Sequence, residues 1–352
     1  MKIAILHMTM GLTTRGSEVV IDTIATELSK THNLLLIQSG PISQKPYHIK
    51  RVYPQSSAPA VAPRSIWDKL LFRLHLDAES GAVVQFTHSA LPLLSDFDPD
   101  IIVAINGSLQ IRLLQGLALK AKIVAFGHAG IGHHDASTLK AAPDLFVALT
   151  PAALDWATQI ARSQTRVVYI PNPLKSVKPK SLNLNLPSPV VLTVSALSKY
   201  KNVDKVASAL NSLPYSWLLI GDGEEHSVIE DQLSSFAGDF RWIKEIDQSE
   251  IGAYYQSADI FCFVPDSHES FGMVYLEAMS SGLPIVATDD RVRRDLIGRA
   301  GIYVDPHDSD SIAAGIHLAH QRARHDYSLE LKPFALKTVI AQLDKEFHDL
   351  IS

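Results

Sequence analysis

The chain has 352 residues, 46% hydrophobic and 20% charged, with a net charge of −5. That length is too great for one ordinary core and suits two domains of a soluble globular protein. The mixed charge excludes a polybasic nucleic-acid binder, no basic run being interleaved with aromatics, and no stretch approaches the roughly 20 apolar residues of a membrane span. In chain order, KIAILHM reads as a buried strand. It is followed by a polar loop bracketed by Gly11 and Gly16, a helix from Val19 to Leu28 and a strand from Leu34 to Ile37. Strand, Gly-bearing loop, helix, strand is the opening of a doubly wound sheet. Neither G-x-G-x-x-G nor G-K-[ST] is present, so this is neither a dinucleotide fingerprint nor a Walker loop. The opening apolar run is too short for a signal peptide, and a cytoplasmic location is expected.

Residues 41–65 are rich in Pro, Ser and Ala and read as a long loop. In the following SIWDKLLFRLHL, Ile66, Trp67, Leu70, Leu71 and Leu74 share one helical face with Lys69 and Arg73 on another. Such a face suits core packing or, across residues 64–75, peripheral contact with a membrane. Asp98-Pro99-Asp100 is a turn into the strand Ile101–Ile105, and Asp308-Ser309-Asp310 a helix cap; neither requires a metal. The strand Lys122–Phe126 delivers GHAGIGHHD, a Gly-flanked loop at a strand's C-terminal end, where α/β proteins bind ligands. Its His128 faces two readings, ligand contact or a loop imidazole satisfied by backbone; no second motif completes a metal site with His133, His134 and Asp135. Strands Leu145–Leu149 and Arg166–Ile170 close this half, and PNPLKSVKPKSLNLNLPSP is the clearest linker. The halves differ in charge: residues 1–172 carry 15 Lys and Arg against 12 Asp and Glu, the remainder 17 against 25.

The second half repeats the alternation with PVVLTVSA, LSKYKNVDKVASAL and WLLIGDGEEHSVIEDQL, then reaches PDSHESFGMVYLEAMSSGLPIVAT, the stretch richest in chemistry. Here a buried strand, Ile260–Val264, leads through a loop to a short helix beginning near Phe271, and on to a strand Pro284–Ala287. Ser270 is the expected N-cap and Gly282 the expected C′ residue. Glu269 stands at the helix mouth and Glu277 two turns in. Taken as helical, that spacing is roughly 12 Å along the axis, too far for a glycosidase pair. It suits two acceptors gripping opposite ends of a polyhydroxyl ligand, with an anion held between them at the N–H groups near Phe271, Gly272, Met273 and Val274. The bland alternative is a buried helix with one capping and one structural acid. The ligand reading fails if the two acids are both tied up in internal ion pairs. Cys262 reads as a buried, inert thiol. Gly301–Val304 is an edge strand, Ile312–His320 a helix, and Ala335–Ile351 a terminal helix.

HESFGMVYLEAMSSGLPIVAT resembles the E-x7-E signature of the retaining glycosyltransferases of family 4, which have the GT-B fold. The resemblance implies two Rossmann-like doubly wound domains facing across a cleft. The first would be an acceptor domain over 1–172 with a crossover helix at about 335–352, and the second a nucleotide-sugar donor domain over 173–334. It implies that Glu269 contacts donor-sugar hydroxyls, Glu277 the ribose, and His128 the donor sugar. Gly16-Ser17-Glu18 resembles the family's G-G-x-E loop, with Ser17 in place of the second Gly. Ser195-Ala196-Leu197 followed by Lys201 resembles its G-R-L-x-x-x-K pattern, with Lys201 set against the diphosphate and Ala196 where an Arg is usual. The activity implied is hexosyl transfer from a nucleotide-diphosphate sugar, UDP slightly preferred over GDP, to a glycan or lipid-linked hydroxyl, with no cofactor and no metal. A sugar-nucleotide epimerase and a non-catalytic sugar-nucleotide-binding protein are the alternatives.

Overall fold

The computed structural model describes residues 1–12, 16–52, 77–117, 119–175, 182–267 and 269–352. The helical face proposed for membrane contact at 64–75 lies outside them. The chain divides into two compact units, Met1–Pro173 with Leu336–Ser352, and Leu174–Ala335.

In the first unit seven strands form one parallel sheet: β1 (Lys2–Leu6), β2 (Asn33–Gln38), β3 (His48–Arg51), β4 (Ile101–Ala104), β5 (Lys122–Phe126), β6 (Leu145–Ala148) and β7 (Arg166–Tyr169). Their order is β3-β2-β1-β4-β5-β6-β7. Each of β1, β2 and β4 is buried along nearly its whole length, as a parallel sheet with helices on both faces requires. Those helices are α1 (Gly16–Leu28), α2 (Ala78–Phe97), α3 (Gly107–Gln115), α4 (His133–Lys140) and α5 (Pro151–Ile160). Phe86, Ile111, Leu114 and Phe146 fill the core between sheet and helices. Two expectations change here. The stretch 41–65, read as loop, contains β3, registered on β2 through Leu36↔Ile49; His48, Lys50 and Arg51 hide it from hydropathy because an edge strand keeps polar groups toward water. Helix α1 begins at Gly16 rather than Val19, so Gly16 and Ser17 belong to its first turn.

The second unit holds a six-stranded parallel sheet ordered β10-β9-β8-β11-β12-β13. Its strands are β8 (Val190–Val194), β9 (Ser216–Ile220), β10 (Phe240–Ile243), β11 (Ile260–Phe263), β12 (Ile285–Thr288) and β13 (Ile302–Val304), the last at the edge as expected. Its helices are α6 (Val203–Leu210), α7 (His226–Ser234), α8 (Ile251–Ser257), α9 (Met273–Ser280), α10 (Arg291–Ile297), α11 (Ser309–His320) and α12 (Ser328–Leu331). Trp217 is fully buried at the centre and donates its indole N–H to Thr193 Oγ1 at 3.1 Å. Cys262 is buried and burial pushes its thiol up, out of reach of ionisation at neutral pH. Asp308 caps α11 through the Asp310 N–H.

The terminal helix α13 (Leu336–Ile351) returns to the first unit. Val339, Leu343 and Phe347 form its buried stripe at a spacing of four. Asp344 pairs with His32 at 2.6 Å and Glu346 with Arg166 at 2.7 Å. No helix among the described residues is long and apolar enough to cross a membrane.

Candidate active site

The second unit gathers its candidate residues at the C-terminal ends of β8 and β11. After β8, Ser195 donates its backbone N–H to Ile220 and its hydroxyl to the Ala196 carbonyl. The chain then tightens into a 3-10 turn, Lys199–Lys201, ended by Asn202 in the left-handed region at φ 54°. Lys201 Nζ lies 4.8 Å from the Tyr200 ring centre and 5.3 Å from that of Phe263, and it pairs directly with the Glu269 carboxylate. The two side chains are each 13% exposed. A pair this enclosed holds its partners tightly, because a lone ion there would be poorly solvated.

Unlike Glu277, which is in no ion pair among the described residues, Glu269 therefore is not free. Nor does it lie on the helix: α9 starts at Met273, and its N-cap is Gly272 at φ 85°, not Ser270. The sequence favoured Ser270 on hydroxyl chemistry, but the chain needs a left-handed residue here, and a Cβ at Gly272 would lie 2.7 Å from the Tyr275 ring. The roughly 12 Å helical spacing of the two acids does not apply, since Glu269 sits in the preceding loop. Phe271 is buried against Phe334, its N–H 3.4 Å from Glu269 Oε1. Met273 and Val274 occupy the first turn, where helix geometry gives backbone N–H groups no carbonyl within the helix. Glu277, further along α9, accepts from Tyr255 Oη at 2.8 Å and Gln248 Nε2 at 3.1 Å. Burial holds its carboxyl above the ordinary carboxylate range, against the lowering effect of those two bonds.

Three further residues shape this site, none of them singled out by sequence. Arg293, fully buried, donates to the carbonyls of Glu269 and Asp266, both at 2.8 Å, and pairs with Asp290 at 2.9 Å. Asn202 Nδ2 donates to Asp266 Oδ1 at 2.7 Å and to the Val264 carbonyl at 3.0 Å, and the Asp266 N–H donates to the Tyr200 carbonyl. Together they clamp the loop carrying Glu269 onto the turn carrying Lys201. A basic residue on a helix after the motif gives no hint of inward aim; only the N-capped α10 turns Arg293 inward. The Gly221-Asp222-Gly223 turn packs behind, with Leu197 N–H donating to the Asp222 carbonyl.

In the first unit, Gly16 and Ser17 open α1, and Ser17 donates to Glu18 Oε2 at 2.9 Å. Glu18 also borders a cavity of about 190 Å³ with Met10, Asp22, Lys45 and Tyr47. His128 is half-buried and stacked on Phe126, and its Nε2, itself out of contact with solvent, has no hydrogen-bond partner among the described residues. The backbone does not satisfy that atom, as one reading of this imidazole had it. Desolvation holds His128 down near pKa 4, helped by His7 and opposed by Glu18; desolvation holds His7 near 4 as well. Asp135, below the same loop, is pushed up to about 7 by burial, against backbone N–H bonds from Gly130 and Ala129. Among the described residues no three His, Cys, Asp or Glu side chains group as a metal site.

These values set a pH dependence. The two imidazoles take up protons at 6.5 when unfolded but only near 4 when folded, so their contribution is complete above 6.5 and lost as pH falls toward 4. Asp135 acts oppositely, stabilising below its unfolded value of 3.8 and losing that contribution as pH rises to about 7. The two imidazoles lower stability on acidification through that window, and Asp135 opposes them. Asp135→Asn removes that opposing contribution and is expected to steepen the loss of stability. Calorimetric unfolding of the first unit across the window tests this; equal slopes in both proteins would refute it.

Residues 175–328 match the family model described as Glycosyl transferases group 1. Over 101 residues the chain is 37% identical to a phosphatidyl-myo-inositol mannosyltransferase of Mycolicibacterium smegmatis, which covers 28% of this chain and 26% of that protein. It is 30% identical over 143 residues to a GDP-mannose-dependent alpha-mannosyltransferase of the same organism, covering 39% of this chain and 36% of the relative. The chain thus spans about a quarter to a third of the length of these curated relatives. Among solved structures, Anabaena Alr3699/HepE in complex with UDP-glucose superposes with a TM-score of 0.72 over 99% of each chain, at 17% identity. The fold is thereby placed among the GT-B glycosyltransferases, as two parallel-sheet α/β domains.

Proposed function

We propose, from a second unit that carries a glycosyl transferases group 1 domain, that this chain moves a hexose from a nucleotide-diphosphate sugar to a hydroxyl of a glycan or lipid-linked acceptor, with retention of configuration. The observation that carries this reading is the juxtaposition of Lys201, Glu269 and the first turn of α9. It puts one cation, one anion and the first-turn N–H groups of α9 at the ends of β8 and β11. In an open α/β sheet ligands lie at such strand ends.

On this reading the donor's diphosphate sits at the N–H groups of Met273 and Val274, backed by the helix dipole. Lys201 turns from Glu269 to the phosphate as charge develops there, and Glu269, released, accepts from the sugar hydroxyls. The bond from the anomeric carbon to the phosphate oxygen breaks, the bond to the acceptor oxygen forms on the same face, and the acceptor's proton passes to the departing phosphate. Glu277, beside Tyr255 and Gln248, takes the ribose. Catalysis is positioning and charge stabilisation, with no attack by Glu269. Ala196 leaves the diphosphate one cation where the resembled pattern supplies two, so the helix mouth carries more of the charge. Gly16, Ser17 and His128 are assigned to the substrates' first-unit contacts. UDP is assigned as the base carrier ahead of GDP, and the reading uses no metal.

Thermal shift against UDP, GDP, ADP and their sugars tests it. UDP-sugar is expected to raise the second unit's melting temperature, by an amount that grows with ligand as mass action requires. No shift with any nucleotide would remove the reading, and a shift without transfer or donor hydrolysis across an acceptor panel would reduce the protein to a binder.

A further inference from the structure

The cavity of about 190 Å³ in the first unit lies among α1, β2, β3 and the loops that join them, and none of the residues assigned to the substrates above lines it. Leu36 and Gln38 stand two apart on β2 and so share a face, and Ile49 is registered beside Leu36 on β3. Val19 and Asp22, three apart on α1, share one side of that helix. Met10, Val19, Leu36 and Ile49 make the aliphatic part of the lining. The volume falls below the roughly 300–1,000 Å³ of sites for drug-sized ligands, which suits a single ring and excludes a nucleotide.

Gln38 is the informative residue of the lining. It is 2% exposed, and its Nε2 commits both hydrogens, to the carbonyls of Pro41 at 2.7 Å and Gly40 at 3.3 Å. Turning the amide over would set oxygen against oxygen, so its orientation is fixed. Oε1 is left without a partner among the described residues, and it is not closed off from solvent as the unpartnered Ser39 Oγ is. Side chains this buried have their acceptors bonded, so a bare one lining a cavity marks a place for a donor. Beside it, Asp22 accepts from Tyr47 Oη at 2.6 Å and from Lys45 Nζ at 2.8 Å. Burial, and after it the bond to Asp22, holds the phenol far above its usual range, so Tyr47 keeps its proton and donates. The Asp22 oxygens can each accept again, and the ammonium has two hydrogens left. The Lys45 and Asp22 side chains are 30% and 32% exposed, so a ligand can reach both. Their pair carries no net charge: an anion would be set against the carboxylate, a cation against the ammonium. Two acceptors, a donor and an aliphatic wall without net charge match a sugar ring, which has hydroxyls at its rim and C–H groups on its face.

We infer that this cavity binds one neutral pyranose, with Gln38 Oε1 and Asp22 accepting from its hydroxyls, Lys45 donating to them, and Val19, Leu36 and Ile49 against its C–H face. Tyr47 acts through Asp22, as a positioning residue that aims the carboxylate. That the sugar is a unit of the acceptor rests on the transferase reading above; the site itself does not.

Saturation-transfer spectra of the full chain with the methyl α-pyranosides of glucose, mannose and galactose decide this. At least one of the three is expected to bind, and inorganic phosphate, followed by its phosphorus line width, is not. Asp22→Asn keeps the shape of the side chain and leaves Lys45 without its counter-charge. It should weaken the glycoside about tenfold and admit phosphate. Val19→Phe fills the cavity from α1 and should abolish glycoside binding while the melting temperature stays close to that of the unaltered chain. Binding of none of the three glycosides, binding of phosphate by the unaltered chain, or unchanged glycoside binding in either folded variant would overturn the inference. Where transfer is measurable, Asp22→Asn is expected to raise acceptor KM about tenfold with donor KM unchanged. A rise in donor KM instead would take the acceptor's sugar out of this cavity. Absence of any nucleotide-induced thermal shift would fell the transferase reading and leave the glycoside result standing.

Discussion

Lys201→Ala and Glu269→Ala are each expected to cut kcat/KM at least tenfold, a loss of about 1.4 kcal/mol or more in transition-state stabilisation. The expectation has to be separated from stability, because the two side chains pair with one another and are little exposed. Removing one partner strands the other ion in a poorly solvated place, which destabilises by itself. The double variant Lys201→Met with Glu269→Gln removes both charges and should recover most of the lost melting temperature. Its activity should stay at least tenfold down. Recovery of turnover together with stability would show that the pair only braces the loop, and would take both residues out of the chemistry.

Gly221→Ala is expected to lower the second unit's stability by about 3 kcal/mol or more and to abolish the nucleotide-induced thermal shift. Gly221 has φ +127°, and a Cβ there would lie 2.0 Å from the Ser195 carbonyl oxygen, which is backbone and cannot swing aside. Gly223 is crowded as well, with Leu197 O at 2.4 Å from its would-be Cβ. The turn after β9 therefore sets the path of Ser195–Leu197, and through it the position of Lys201. Gly298→Ala in the same unit is the control: φ is +72°, but the nearest atom to an added Cβ is the Glu330 side chain at 3.9 Å. The ψ of −151° at Gly298 lies in a region open almost only to glycine, so this variant should lose about 1–3 kcal/mol, the cost of the backbone conformation alone. Calorimetry of the two variants decides, and similar losses would mean that the close approach to Ser195 does not govern the site.

Much of this was legible in the sequence. Strands such as KIAIL, IIVA and IVAT are continuous apolar runs because a parallel sheet is covered on both faces, and apolar runs of that length between Gly-bearing loops have few other uses. The stripe of Val339, Leu343 and Phe347 likewise announced the terminal helix. The approximate places of Glu269, Glu277, Lys201 and His128 followed from motif spacing. Where the reading slipped, the cause was local. The polar edge strand His48–Arg51 carries no apolar signal, and Ser270 looked like a cap because side-chain chemistry is visible in a sequence while φ is not.

What the sequence determined by itself, then, is the alternation of strands and helices, the existence of two α/β units and the residue types available for chemistry. All of these depend on patterns within a dozen neighbouring positions. Tertiary structure alone decided that Lys201 closes on Glu269 and that Arg293 is driven inward to hold the loop between them. Each is a contact between residues whose meeting depends on how strands are ordered in a sheet and how turns are bent. Hydrogen bonds and ion pairs act over a few ångströms in space, and separation along the chain does not encode that distance.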